Sequence, residues 1–142
     1  MGNNRIRNKE YRITNQELFK KMTEFKKYDL EDRLIDFAIR CSDIVEELQN
    51  TKLANHIGGQ LIRSSSSSAL NYGEAQSAES QNDFVHKLKI ILKELRESRV
   101  SLKVIYRKPL LPAERIQPVL DECNELIAIF LKSIDTANRN KK

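Results

Sequence analysis

Between Leu30 and Leu48 the apolar residues fall at Leu30, Leu34, Phe37, Cys41, Ile44 and Leu48, every third or fourth position. Residues spaced in this way share one face of an α-helix, so the pattern predicts a first long helix over about 30–49. "QNTK" interrupts it, and Asn50 or Thr51 can cap a second helix. A third stripe is the most regular: Phe84, Leu88, Ile91, Leu95, Ser98, Leu102 and Ile105 alternate steps of four and three. Pro109 ends that run, and Pro112 suits the first turn of a fourth helix carrying Ile116, Leu120, Cys123, Ile127, Phe130, Ile134 and Ala137. Ahead of the first stripe, Thr14-Asn15-Gln16-Glu17 reads as a capping box followed by Leu18, Met22 and Phe25. It predicts a short helix over about 15–27, separated from the first long one at Tyr28-Asp29.

The second helix contains five consecutive serines, Ser64 to Ser68. Serine-rich runs are commonly solvated linkers, which would make this segment a hinge. The register argues for helix instead. At 100° per residue, Ala54, Ile57, Ser65, Ser68, Tyr72 and Ala75 all fall within about 40° of Leu61. The stripe passes through the serines without a phase break. Serine is a middling helix former whose hydroxyl can return to a carbonyl one turn back, and its small size admits a close neighbour. Ser80-Gln81-Asn82-Asp83 then resembles a capping box at the start of the third helix. Four long helices joined by short links predict an all-α fold, an antiparallel up-down four-helix bundle with an N-terminal extension. Its divisions are 1–28 for the extension, 29–138 for the bundle and 139–142 for a basic tail.

Composition agrees with long helices: the 142 residues include four Gly, three Pro and no Trp, with 32% charged. The net charge of +5 is unevenly placed. Residues 1–30 carry eight Lys/Arg against four acids and 139–142 add three cations, leaving 14 basic against 16 acidic residues over 31–138. A near-neutral body with basic ends is weak support for a nucleic-acid binder. No apolar run reaches a membrane span, and "MGNNRIRNKEYR" lacks a signal peptide's apolar centre, so a cytoplasmic protein without membrane contact is expected.

Catalytic and cofactor chemistry find little support. Neither G-x-S-x-G nor S-x-x-K occurs, and Gly58-Gly59 lacks the Lys-Ser/Thr ending of a phosphate loop. Cys41, Cys123 and two histidines fit no zinc spacing, and His86 beside the third helix's core face reads as structural or surface. No enzyme activity, metal, cofactor or small-molecule substrate is expected. Two polar patterns remain. On the second helix Arg63, Ser67, Leu70 and Glu74 share the face opposite the apolar stripe, either as a solvated side or as a contact surface where Arg63 and Glu74 pair across subunits. On the third, Lys89, Lys93, Arg96, Lys103 and Arg107 line one edge that can track phosphates or simply face water. No aromatics interleave with them to stack bases.

The stretch "QLIRSSSSSALNYGEAQSAESQNDFVHKLKIILKELRES" resembles the bacterial four-helix bundle family encoded in 23S rRNA intervening sequences. The likeness rests on Gln60, Arg63, Ser64, Ser67, Asn71, Tyr72, Glu74 and Ala75, then Ser80, Asp83, Phe84, Lys87, Lys93 and Glu94, and extends over about 31–135. Serines stand where relatives usually carry Gly, Thr or Ile. The resemblance implies a ring, a homopentamer, in which Arg63, Ser67, Asn71, Tyr72, Glu74 and Asp83 make family-specific polar or subunit contacts. A more distant likeness to the accessory protein of diversity-generating retroelements implies RNA or a nucleic-acid-bound protein as partner. The residues alone leave a purely protein–protein adaptor open as the alternative.

Overall fold

The serine run is helical throughout. A computed structural model describes residues 14–140, the side chains of 15–29 excepted. Four helices follow one another: α1 (Asn15–Glu47), α2 (Lys52–Gln76), α3 (Gln81–Arg107) and α4 (Ala113–Arg139). No strand occurs among the described residues. Chain contacts separate Met1–Leu30 from Glu31–Lys142, and the bundle described below is the second unit. The separate helix expected over 15–27 is not seen, since the backbone is helical from Asn15 through Glu47. Tyr28-Asp29 interrupts the apolar spacing, but neither residue is a Pro or Gly able to break helical hydrogen bonding. The expectations for residues 1–13 and for Lys141 and Lys142 lie outside the described residues.

Local chemistry sets the other boundaries. Thr51 caps α2, its Oγ1 accepting from the Ala54 N–H at 3.2 Å. Ser80 caps α3 by accepting from the Asp83 N–H at 3.0 Å, while Asp83 Oδ2 accepts from the Glu79 N–H at 3.4 Å. That is the predicted box with its return bond shifted one residue outward. Pro112 precedes α4, which runs on through Pro118.

Cross-helix contacts give the topology. A Cβ on Gly58 of α2 would stand 2.9 Å from Val45 Cγ1 of α1. Arg33 of α1 donates to Glu122 of α4, and Arg115 of α4 donates to Glu47 of α1. Cys123 Sγ of α4 donates to the Leu95 carbonyl of α3 at 3.3 Å, and Gln81 Nε2 to the Ala137 carbonyl at 3.2 Å. In the α1–α4 and α3–α4 pairs one set of numbers rises as the other falls, and the α2–α3 ties Arg63–Glu94 and Glu74–Lys87 do the same, so these neighbours are antiparallel. Helices α1 and α3 each pack between α2 and α4; they run parallel to one another across the bundle's diagonal.

The core follows the stripes. Leu34, Phe37, Ile44, Leu61, Ile91, Leu95, Leu102, Ile105, Ile116 and Phe130 are fully buried, each worth about 1.5–3 kcal/mol relative to exposure. At the margins Ile57, Tyr72 and Phe84 are only half-buried, while Gly58, Val85, Val119 and Leu126 complete the interior. Ser64, Ser65 and Ser68 are buried with them. Ser64 Oγ and Ser98 Oγ meet at 2.7 Å between α2 and α3, and Ser98 donates on to the Glu94 carbonyl at 3.0 Å. Ser68 donates to the Ser65 carbonyl at 2.7 Å, and Ser65 donates to the Ile62 carbonyl at 3.4 Å. Among the described residues no buried side-chain nitrogen or oxygen lacks a partner. A polar helix segment is thus buried without orphaned groups.

Candidate functional site

Of the residues singled out on α2, Arg63 and Glu74 turn toward α3 of the same chain. Arg63 spans two carboxylates, donating from Nη1 to Glu94 at 3.0 Å and from Nη2 to Glu97 at 2.5 Å. Glu94 is only 6% exposed, so the guanidinium compensates a nearly buried charge. The Glu97 hydrogen bond, with the Glu94 charge behind it, raises the Arg63 pKa further. Glu74 accepts from Lys87 Nζ at 3.0 Å. Arg63 and Glu74 therefore each tie α2 to α3 within one chain, and Leu70 between them is 70% exposed. Asn71 Nδ2 donates to the Ser67 carbonyl and hydroxyl at 2.9 and 3.0 Å, an i−4 tie on the same helix. Tyr72 crosses to α4, its ring edge-on to Phe130 at 6.0 Å, and burial raises its phenol pKa. Asp83 belongs to the α3 cap.

Glu94 and Glu97 were absent from the expected contact set. Their signal was Glu94's place between Ile91 and Leu95, where a carboxylate needs a cation from a neighbouring helix.

The basic row is laid out as its spacing predicts. Lys89, Lys93, Arg96, Lys103 and Arg107 are all exposed along the outward face of α3, with no ion-pair partner among the described residues. Val100, 61% exposed, lies in their midst. A shallow hollow of about 400 Å³ runs among Lys89, Leu92, Lys93, Arg96, Glu97 and Val100. His86 is exposed near this face instead of beside the core.

A second charged face lies across the bundle. Asp32, Asp36, Asp43 and Glu46 are exposed along the outward side of α1, and Ile35 and Ile39 between them are 43% and 54% exposed. The apolar count hid this row, because attention to one stripe passes over the acids and isoleucines on its reverse. Nearby Arg33 is engaged by Glu122 and Glu125.

The remaining features offer little chemistry. A hollow of about 580 Å³ between the start of α3 and the end of α4 includes Gln81, Phe84, Lys132 and Thr136, and no carboxylate, thiol or imidazole lines it. Burial pushes the Cys41 and Cys123 thiols up to about 12, leaving both neutral at physiological pH and poor nucleophiles. Among the described residues no three His, Cys, Asp or Glu side chains gather as a metal site, and no helix is long and apolar enough to cross a membrane.

No curated protein matches the chain. The crystal structure of a protein with unknown function from the S23 ribosomal protein family of Bacteroides thetaiotaomicron VPI-5482 is similar, at 26% identity and a TM-score of 0.66. The likeness covers 74% of this chain and 97% of that one. The family model of the 23S rRNA-intervening sequence protein matches residues 26–132, from α1 into α4, and the chain belongs to that family.

Proposed function

We propose that the protein works by assembly and not by catalysis, as a ring-forming helical bundle in an RNA or ribonucleoprotein setting. The observation that carries this reading is the pair of outward faces on α1 and α3. Each combines exposed apolar side chains with charged side chains that form no ion pair within 4.0 Å among the described residues, a composition suited to contact with another macromolecule. The ribosomal name of the similar family supports the setting. The test is native mass: light scattering of the purified full chain should give a multiple of 16.5 kDa. A monomer across the micromolar range would overturn the reading.

A second reading has its own observation, the five exposed cations on α3. If they track single-stranded RNA, each phosphate contact contributes about 0.7 to the slope of log affinity against log salt. Lys93→Glu with Arg96→Glu should then weaken RNA binding and flatten that slope by about 1.4. Crosslinking in the native host would show particular RNAs recovered with the parent protein and lost with the double variant. Equal recovery would remove this surface as the RNA site.

A further inference from the structure

We infer that the cation row on α3 takes RNA in its double-stranded form, lying across the shallow groove of an A-form helix with one group of cations on each strand. The inference rests on the RNA reading above and names the form of RNA that the row fits. The first argument is spacing. The row falls into two groups, Lys89, Lys93 and Arg96, then Lys103 and Arg107. At about 1.5 Å per residue it is about 27 Å long, and the centres of its two groups stand about 19 Å apart. Between the groups the outward position is Val100, 61% exposed. The charged residues of that turn are drawn aside, Glu97 by Arg63 and Arg99 by Asn124. A helix tracking one continuous strand would gain from a cation at this waist, because phosphates would pass beneath every turn. A helix laid across a groove would gain nothing, since no phosphate lies between the two strands.

The second argument is what the row lacks. Surfaces that hold single strands supply aromatic faces on which bases stack. Phe84 and Tyr106 of α3 are half-buried, and neither belongs to the row. Contact is left to the backbone phosphates, which a duplex presents already ordered and a single strand must order on binding. The third argument is shape. Helix α3 is tied to α2 through Arg63 and Glu94 and to α4 through Cys123 and the Leu95 carbonyl, so only its outer edge is free. An edge flanked in this way is a poor fit to the B-form major groove, about 8.5 Å deep. It can lie on the wide, shallow minor groove of A-form RNA and reach the phosphates on both sides.

Fluorescence anisotropy with the full chain tests this, using a labelled mixed-sequence RNA duplex, one of its strands alone, and the DNA duplex of the same sequence. The RNA duplex should bind at least about tenfold more tightly than either of the others. Lys93→Glu/Arg96→Glu and Lys103→Glu/Arg107→Glu should each weaken duplex binding by about tenfold or more, because each pair faces a different strand. Circular dichroism should show both variants still helical. Val100→Lys separates the two forms of RNA. Across a groove the new cation meets no phosphate and leaves the slope of log affinity against log salt unchanged, whereas along a single strand it steepens that slope by about 0.7. Equal or tighter binding of the single strand or of the DNA duplex would overturn the duplex assignment and leave the row as a nucleic-acid surface. A steeper slope on duplex RNA with Val100→Lys, or a loss confined to one of the two charge-reversal pairs, would overturn it in the same way. Binding to none of the three probes, or binding that neither pair weakens, would remove the RNA reading along with it.

Discussion

At Gly58 the α1 and α2 backbones approach as closely as a missing side chain allows, with the stiff, branched Val45 standing where a Cβ would go. One residue on, Gly59 faces open space. The same substitution should therefore act in opposite directions at the two sites. Gly59→Ala should raise stability by about 0.8–1 kcal/mol, the usual helix-propensity gain. Gly58→Ala should lose that gain to displacement of Val45 and come out destabilising, as read from paired urea midpoints. Equal stabilisation by both would mean that the α1–α2 spacing is looser than described. The serines show the complementary economy of size, for Ser64 and Ser98 fill a close α2–α3 contact and satisfy each other there. The burial of Ser65, Ser68 and Ser98 was legible in the sequence because position along a helix sets burial and composition does not, whereas Ser64 lay off the stripe and is buried all the same. The partner of Ser64 was not legible, since it sits 34 residues away on another helix.

Between helices the ion pairs differ by the environment of the carboxylate. Arg63→Ala would leave Glu94 nearly buried without its cation, a loss of about 1–3 kcal/mol. Arg115→Ala opens a pair at the surface, where water replaces the guanidinium, and should shift the urea midpoint less. The surface pair has a distinct pH signature. Arg115 hydrogen-bonds Glu47 and holds its carboxyl below the usual carboxylate range. A carboxylate with a depressed folded pKa stabilises fully above its unfolded value, near 4.3, and loses that contribution as pH falls through the lower folded value. The difference between parent and Arg115→Ala should thus be constant near neutrality and shrink below about pH 4. At this scale the four long helices could be read from spacing alone, because the apolar register of each is unbroken. The α1 boundary could not: Tyr28-Asp29 resembles a cap, yet the backbone continues helical through both residues. The choice of Glu94 over Glu74 as a neighbour for Arg63 depends on how α2 and α3 dock, which no single-helix pattern contains.

The bundle carries rows of opposite charge on two of its helices, although the balance over residues 31–138 is close to even. Net charge therefore says little about how it meets other molecules, and the placement says more. Carboxylates along α1 and cations along α3, on opposite flanks, give the bundle an electric dipole directed across its length. On the assembly reading proposed above, two copies drifting together would feel a torque before contact, with a reach of about 10 Å at 0.1 M salt. Adding salt from about 0.05 to about 0.5 M should then slow association steeply while changing dissociation little. Stopped-flow mixing of dilute copies would show both rates, and a dissociation rate carrying the whole effect would contradict orientation at a distance. A bundle polarised in this way presents a different flank to partners of each sign, and the ionic medium sets how far away that preference is felt.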